Sequence, residues 1–579
     1  MRTRQFSNRE LARILREMAA LYEMDGVAFK PRAYEGAALA LEAYKDDAQD
    51  LFAEGGEKAL DAIQGIGKGI AAHLRDLFTT GHFREYERLR KKTPVNILEL
   101  MAVEGIGPKT VRTLWRRLKI KNLDDLERAL RAQTLRSIPG FGGRSEEKLL
   151  KAVGFVRESG TRRALSFALP EAEKLCAAVE RLPETEKVVV AGSVRRWKET
   201  VGDLDLLAVS QNPEALLRKF VRLPAVGHVY GQGPAKANVR LRSGIDADLR
   251  VVPAASWGAA LNYFTGSKAH NIALRKRALA RGFKLSEYGL FKGRKQIAGE
   301  TEEGLYAALG LPYIEPELRE MQGEFDAAQA GKLPTLVGYG DLRGDLQVQT
   351  EWTDGAASIE EMADAAEEAG LEYIAVTDHT RSLAMARGLD EKRLAEQGRE
   401  IDRLNERRRA AGKKLVILKG AEVNIGKDGT LDLSGDALVA LDVVGAAVHS
   451  HFGLPQKAQT KRLIAAMEHP HVDLIFHPTG RLINAREPIA LDMDAVIAAA
   501  KRTGTILEID AYPDRLDLKD EHIRRCVAAG VPMSIDSDAH APEHFRMLQF
   551  GIAQARRGWA RRRDIVNTLA LPEFRKLLG

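Results

Sequence analysis

Gly192-Ser193-Val194-Arg195-Arg196-Trp197-Lys198-Glu199-Thr200-Val201-Gly202-Asp203-Leu204-Asp205 is the stretch on which the reading of this 579-residue chain turns. The run DLDLLAV that it leads into predicts a strand. Side chains alternate along a strand, so Asp203 and Asp205 share one face. A second strand-like run, Asp246-Ala247-Asp248-Leu249-Arg250, carries Asp248. Three carboxylates gathered together repel one another unless cations neutralise them, which predicts two Mg²⁺ or Mn²⁺ ions. Just upstream, a small-residue turn offers the Ser193 hydroxyl, backbone N–H donors and the Arg195 and Arg196 guanidinium groups, a set suited to a triphosphate. A lone D-x-D is ordinarily a solvated strand end, so the argument rests on the whole pattern.

Outward from this stretch the chain changes character twice. Before residue 155 it reads as short amphipathic helices such as NRELARILREMAALYEM. Glycine-bearing turns separate them: Gly65 and Gly67 before Lys68, Gly105 and Gly107 before Lys109, and Gly140 and Gly142 before Arg144. Each follows one apolar helix and opens another, which is the pattern of helix–hairpin–helix repeats. Such turns let backbone N–H groups at a helix start approach a DNA phosphate, with the lysines adding charge. Those contacts are blind to base sequence and weaken with salt. From about 160 to 255 strands and helices mix, and 256–320 is a mixed segment ending in LPYIEPELRE. After a connector at 321–340, runs such as YIAVTDH, KLVILKGAEV, DVVGAAVHS, VDLIFHP, TILEID and PMSIDSDAH alternate with helices. Repeated βα units predict a barrel or a doubly wound sheet, with His and acidic residues at the strand ends.

Composition agrees with such a multidomain chain. Apolar residues are 45% and charged residues 29%, enough to bury several cores, and the length suggests about three or four domains. Residues 1–330 hold 54 Lys and Arg against 43 Asp and Glu, whereas 331–579 hold 34 against 38. A basic front suits a polyanion, and a rear holding nine of the thirteen histidines suits metals. Two distant cysteines write no disulfide framework, and no apolar run reaches a membrane span. A reducing, cytoplasmic setting and a monomer are the default expectations.

The turn at 192–196, the acidic pair, Asp248-Leu249-Arg250-Val251-Val252-Pro253 and Tyr263-Phe264-Thr265-Gly266-Ser267 together closely resemble the nucleotidyl-transfer core of family X DNA polymerases. The resemblance extends along the chain to bacterial members with a C-terminal PHP domain. It implies a lyase-like helical domain at 1–85, a fingers-like domain at 86–158, a palm at 159–255, a thumb at 256–320 and a PHP βα-barrel at 341–579. It also implies that Asp203, Asp205 and Asp248 hold two metals and that Asp248 helps activate a primer 3′-hydroxyl. Gly192, Ser193 and Arg196 would take the triphosphate, and Tyr263, Phe264 and Gly266 would lie beside the incoming sugar. Asn271 and Arg275 would touch the nucleotide and template in the minor groove. The expected partners are gapped or primed DNA and dNTPs.

Two departures stand out. His73 occupies the place of the family's Schiff-base lysine, so an efficient deoxyribose-phosphate lyase is not expected, although Lys68 is near. In the rear, Asp354, His379, Glu422, His449, His477, Asp538 and His540 resemble the PHP ligands for Mn²⁺ or Zn²⁺. Gln347 and Gln349, however, replace the usual first histidine pair. Neutral amides bind transition metals weakly, so a 3′→5′ exonuclease should be weakened or lost. The leading expectation is a template-dependent polymerase that fills short gaps in repair. The alternatives are a PHP phosphoesterase with a vestigial polymerase, and a non-catalytic scaffold for DNA ends.

Overall fold

The computed structural model describes residue 6 and residues 8–578, apart from 44–47, 64, 104, 139–140, 161 and 384–385. The chain divides into two compact units.

The first unit is helical. Helices Asn8–Asp25, Lys30–Ala43, Lys68–Thr80, Pro108–Leu118 and Leu123–Arg131 supply apolar faces to one continuous core, from Leu11 and Leu15 through Leu74 and Leu77 to Leu114 and Leu126. The expected domains 1–85 and 86–158 therefore bury against a shared core, because helices this short cannot each cover an apolar stripe alone.

The second unit holds the palm, thumb and barrel. Strand β1 (Arg163–Ala164) pairs with β3 (Thr200–Val201). The palm sheet runs β2-β4-β7-β6-β5, with β2 (Lys187–Val190), β4 (Asp203–Val209), β5 (Val226–Gln232), β6 (Lys236–Leu241) and β7 (Asp246–Val252). β4 and β7 are parallel and the other pairs antiparallel. Leu204, Leu206 and Ala208 face helices Leu165–Glu180 and Pro213–Phe220. Leu207 and Val209 face Trp257, Ala260 and Leu261 of helix Trp257–Thr265. By the strand period, Asp203 and Asp205 lie on this second face.

The thumb adds helices Lys268–Ala280 and Glu302–Ala308 and an antiparallel sheet of β8 (Lys284–Ser286), β9 (Gly289–Lys292) and β10 (Lys295–Ala298). The stretch 321–340, expected as a linker, carries helix Glu324–Gln329, and its Phe325 and Ala328 are buried in the thumb core beside Leu274 and Tyr306. Glu324 is anchored there by His270 at 2.8 Å.

The rear is a barrel of seven parallel strands: β11 (Gly344–Val348), β12 (Tyr373–Val376), β13 (Val416–Asn424), β14 (Val443–Ala447), β15 (Leu474–Ile475), β16 (Ile506–Asp510) and β17 (Met533–Asp536). The last strand returns to the first through Gln349 N–H to the Ala539 carbonyl (2.8 Å) and Leu346 N–H to the Asp536 carboxylate (2.7 Å). That closure decides between barrel and open sheet. Barrel residues Leu516 and Phe550 belong to the same apolar cluster as the palm residues Leu165 and Val201. Among the described residues no helix is long and apolar enough to cross a membrane.

Candidate active sites

The parallel register of β4 and β7 sets Asp205 directly beside Asp248 and Asp203 beside Asp246. Asp246 is drawn away by Arg240 at 2.7 Å, leaving Asp203, Asp205 and Asp248 as the group. Burial, reinforced by the Asp203 and Asp248 charges, pushes Asp205 from 3.8 up to about 7. Asp203 is raised by burial and then by Asp248. Carboxylates held against their own repulsion fit divalent cations. Asn238, opposite Asp248 on β6, donates its amide to that carboxylate and orients it. Nothing in sequence marked it, since the pairing exists only across the sheet. Gly192 closes the site: with φ +63, a Cβ there would lie 2.0 Å from Asp205 Oδ2.

A pH effect follows. Asp205 prefers its neutral form in the folded chain, so its ionisation lowers stability as pH rises from the ordinary carboxylate range through about 7. Thermal unfolding without metal should show this loss relative to Asp205→Asn. Added Mg²⁺ should raise the midpoint more at pH 8 than at pH 5.

Around the acids, Ser193 lies in the single turn Gly192–Arg195. Arg196 sends Nε to Glu320 at 2.9 Å and Nη1 to the Thr265 carbonyl. Gly266 makes room, since a Cβ there would lie 3.1 Å from Arg196 Nη1. Tyr263 and Phe264 meet edge to face at 5.0 Å, and Arg275 and Arg250 lie over their respective rings. Asn271 donates to the Tyr263 carbonyl at 2.7 Å, and its buried Oδ1 has no partner among the described residues. The amide nitrogen of Asn271, a residue expected to touch the nucleotide and template, is thus engaged with the backbone beside the two aromatics.

In the barrel, Glu422 gathers the imidazoles. Its Oε1 meets His449 Nε2 and His477 Nε2, each at 2.9 Å, and its Oε2 meets His379 Nδ1 at 3.2 Å. Burial would raise this carboxyl, but the His379 and His449 charges outweigh it and hold it well below the usual range. The same pairing overcomes burial at His379 and lifts it to about 9. Asp354 lies 3.5 Å from His379 and 3.8 Å from His540. Two triads can each converge on an ion: Asp354, His379 and His540, and His379, Glu422 and His449. Asn424 Oδ1 accepts from His449 Nδ1 at 2.8 Å, turning Nε2 inward.

The glutamines do not complete a further site. Gln349 donates its amide N–H to Glu422 Oε2 at 2.9 Å, filling that lone pair, and both amide atoms of buried Gln347 lack partners among the described residues. Asp538 faces Arg515 Nε at 3.5 Å, and the same nitrogen lies 3.4 Å from Asp510. Sequence reading missed Arg515, Asn424 and the role of Asp378. That buried carboxylate binds Thr350, Thr353 and Gln397 and so fixes the turn bearing Asp354. Each acts through a partner far along the chain. His469 and His471 pair with each other instead, their rings 5.6 Å apart.

In the helical unit the first two hairpins repeat one geometry. Gly65 (φ +94) and Gly105 (φ +88) turn the chain. Gly67 and Gly107 then cap helices Lys68–Thr80 and Pro108–Leu118 with no side-chain bond, which leaves the Gly69 and Lys109 N–H groups for an anion, while Ile70 N–H meets the Gly67 carbonyl at 2.9 Å. Gly140 lies outside the described residues, whereas the Gly142 carbonyl receives Ser145 and Glu146 N–H at the start of helix Gly143–Gly160. His73 packs 5.1 Å from the Phe83 ring, and burial lowers its pKa.

A helical unit with hairpins, a three-carboxylate palm with a thumb and a nearly closed barrel lined with His and acidic side chains define a metal-dependent nucleotidyl-transfer protein with an appended PHP domain. Family models match as a helix-hairpin-helix domain at residues 6–83, a SAM-like helix-hairpin-helix tandem at 97–154, the DNA polymerase beta thumb at 260–320 and a PHP domain at 345–489. The chain is 35% identical over 578 residues to the Bacillus subtilis DNA polymerase/3′-5′ exonuclease PolX, covering 98% of this chain and 99% of that one. It is 25% identical to rat DNA polymerase lambda over 353 residues, covering 54% of this chain and 56% of that one. A probable phosphatase of Thermoanaerobacter is 31% identical over 198 residues, covering 32% of this chain and 73% of that one. The chain belongs to the family X DNA polymerases that carry a PHP domain.

Proposed function

We propose that this DNA polymerase fills short gaps in DNA, joining the α-phosphorus of dNTPs to a primer 3′-hydroxyl at Asp203, Asp205 and Asp248 with release of pyrophosphate. The observation that carries the reading is the register that sets Asp205 against Asp248 with Asp203 on the same face. Two Mg²⁺ or Mn²⁺ ions held by these carboxylates would supply Lewis-acid stabilisation of the attacking and leaving oxygens. The chain's own residues do the rest. Asp248, steadied by Asn238, receives the proton of the primer hydroxyl. Ser193, the N–H groups after Gly192 and the Arg196 guanidinium hold the triphosphate. Tyr263, Phe264 and Gly266 border the sugar, with Asn271 and Arg275 behind them.

The barrel would take Mn²⁺ or Zn²⁺ at the two triads, and its 3′→5′ exonuclease would be weak. In support, Gln349 occupies Glu422 with a donor and Arg515 faces Asp538. The protein would act as a monomer on gapped or primed DNA, without an efficient lyase step, since His73 cannot form the imine.

The test is a 5′-labelled primer annealed across a short gap, in Mg²⁺ and in Mn²⁺, with and without dNTPs. Extension with dNTPs and an intact primer without them supports both parts of the reading. No extension in either metal overturns the polymerase, and efficient shortening that depends on His449 and His477 overturns the weakened exonuclease. The hairpins have their own prediction. Lys68→Glu and Lys109→Glu should each weaken binding to gapped DNA regardless of sequence and lower the salt slope by about 1, as fluorescence anisotropy across a salt series would read.

A further inference from the structure

Arg196 stands at the end of a line of alternating charges that begins in the barrel. Asp520, the first residue of helix Asp520–Ala529, accepts Arg557 Nη2 at 2.5 Å. Arg557, the last residue of helix Leu548–Arg557, sends Nη1 to the Arg196 carbonyl at 2.8 Å and towards Glu320 Oε1 at 3.3 Å. That same Glu320 oxygen takes Arg196 Nε. The line is enclosed: the side chains of Arg557, Arg196 and Glu320 are 2%, 13% and 16% exposed. Trp197, next along the palm, meets Phe550 of the same barrel helix edge to face at 5.7 Å.

We propose that Arg557, a residue of the PHP barrel, is a positioning residue for the polymerase, keeping the Arg196 charge available to an incoming nucleoside triphosphate. The inference rests on the reading of Arg196 as a triphosphate ligand. A half-buried carboxylate draws strongly on its nearest cations. With Arg557 in place, Glu320 is shared between two guanidinium groups, and the Arg196 backbone is pinned as well. Among the described residues Arg196 Nη2 has no hydrogen-bond partner and is left for a phosphate oxygen. Without Arg557, Glu320 would claim the Arg196 charge, and dNTP binding would weaken while the metal-holding aspartates stay in place.

Arg556 supplies the control. It is the adjacent residue of the same helix and ties the barrel to Glu317 (2.7 Å) and the Val337 carbonyl (3.0 Å), but it has no bond to Arg196 or Glu320. Steady-state single-nucleotide incorporation should show KM for dNTP raised about tenfold in Arg557→Gln with kcat within about twofold. Arg557→Lys, which keeps the charge, should stay within about threefold of the parent KM. Arg556→Ala should leave KM within about twofold. Arg557→Gln/Glu320→Gln should return KM towards the parent value, because the competing carboxylate is gone. Arg557→Gln leaves Asp520 without its guanidinium; where that variant does not fold, Glu320→Gln alone keeps the test open, since it should lower KM or leave it unchanged, and a raised KM would overturn the proposal. An unchanged KM in folded Arg557→Gln, an equal rise in Arg556→Ala, or no recovery in the double variant would overturn the proposal. Absence of incorporation by the parent protein would instead strike the polymerase reading itself.

Discussion

Asp205→Asn should lower single-nucleotide incorporation on the order of 1,000-fold or more while leaving the fold intact. Removing one of three metal-holding carboxylates forfeits several kcal/mol of charge stabilisation, and each 1.36 kcal/mol is a factor of ten in rate. The fold should survive because Asp205 is itself uncomfortable there, pushed up to about 7 by burial and its neighbours. An amide of the same shape relieves that repulsion, so the metal-free variant should unfold at an equal or higher temperature. Pre-steady-state incorporation on gapped DNA reads the rate, and thermal unfolding reads the stability. A variant retaining a tenth of the parent rate would place the chemistry elsewhere.

The second large effect runs in the opposite direction. Gln347→His/Gln349→His should raise Mn²⁺-dependent shortening of a 3′ end by about tenfold to 100-fold. Loss of even an outer-shell partner at a metal site costs a factor of that size, and this change restores two direct donors. It also removes the Gln349 N–H from Glu422 Oε2, freeing a lone pair that a metal needs. The chain should accept imidazole there, since both side chains are already buried polar groups and Gln349 lies in contact with Glu422. Digestion of a labelled single strand measures the change, with His449→Ala/His477→Ala added to show that it arises in the barrel. No gain would mean that Arg515 against Asp538, and not the glutamine pair, limits the site.

Much of the site was legible because it is local. Asp203 and Asp205 declare a shared face through the strand period, and the turn at 192–196 stands out through its small and basic residues. The clustered barrel residues stood out as His and acidic residues where apolar runs end. Boundaries were less legible: 321–340 has the composition of a connector, yet Phe325 and Ala328 complete the thumb core.

What the sequence determined by itself is the set of chemical groups and the elements that carry them, since alternation, helical spacing and glycine turns act over a few residues. It also shows glutamines at 347 and 349, where the family resemblance implies a histidine pair, a matter of residue type alone. Only the tertiary structure decided that β4 and β7 are parallel and in register, that the seven rear strands curl round until Val348 bridges Ala539, and that Asn238 and Asn424 orient their partners. Only there does Arg557 reach Arg196, 361 residues away. The reason is physical: a hydrogen bond across a sheet or between domains is fixed by packing that sums many distant apolar contacts, and no local periodicity carries its address.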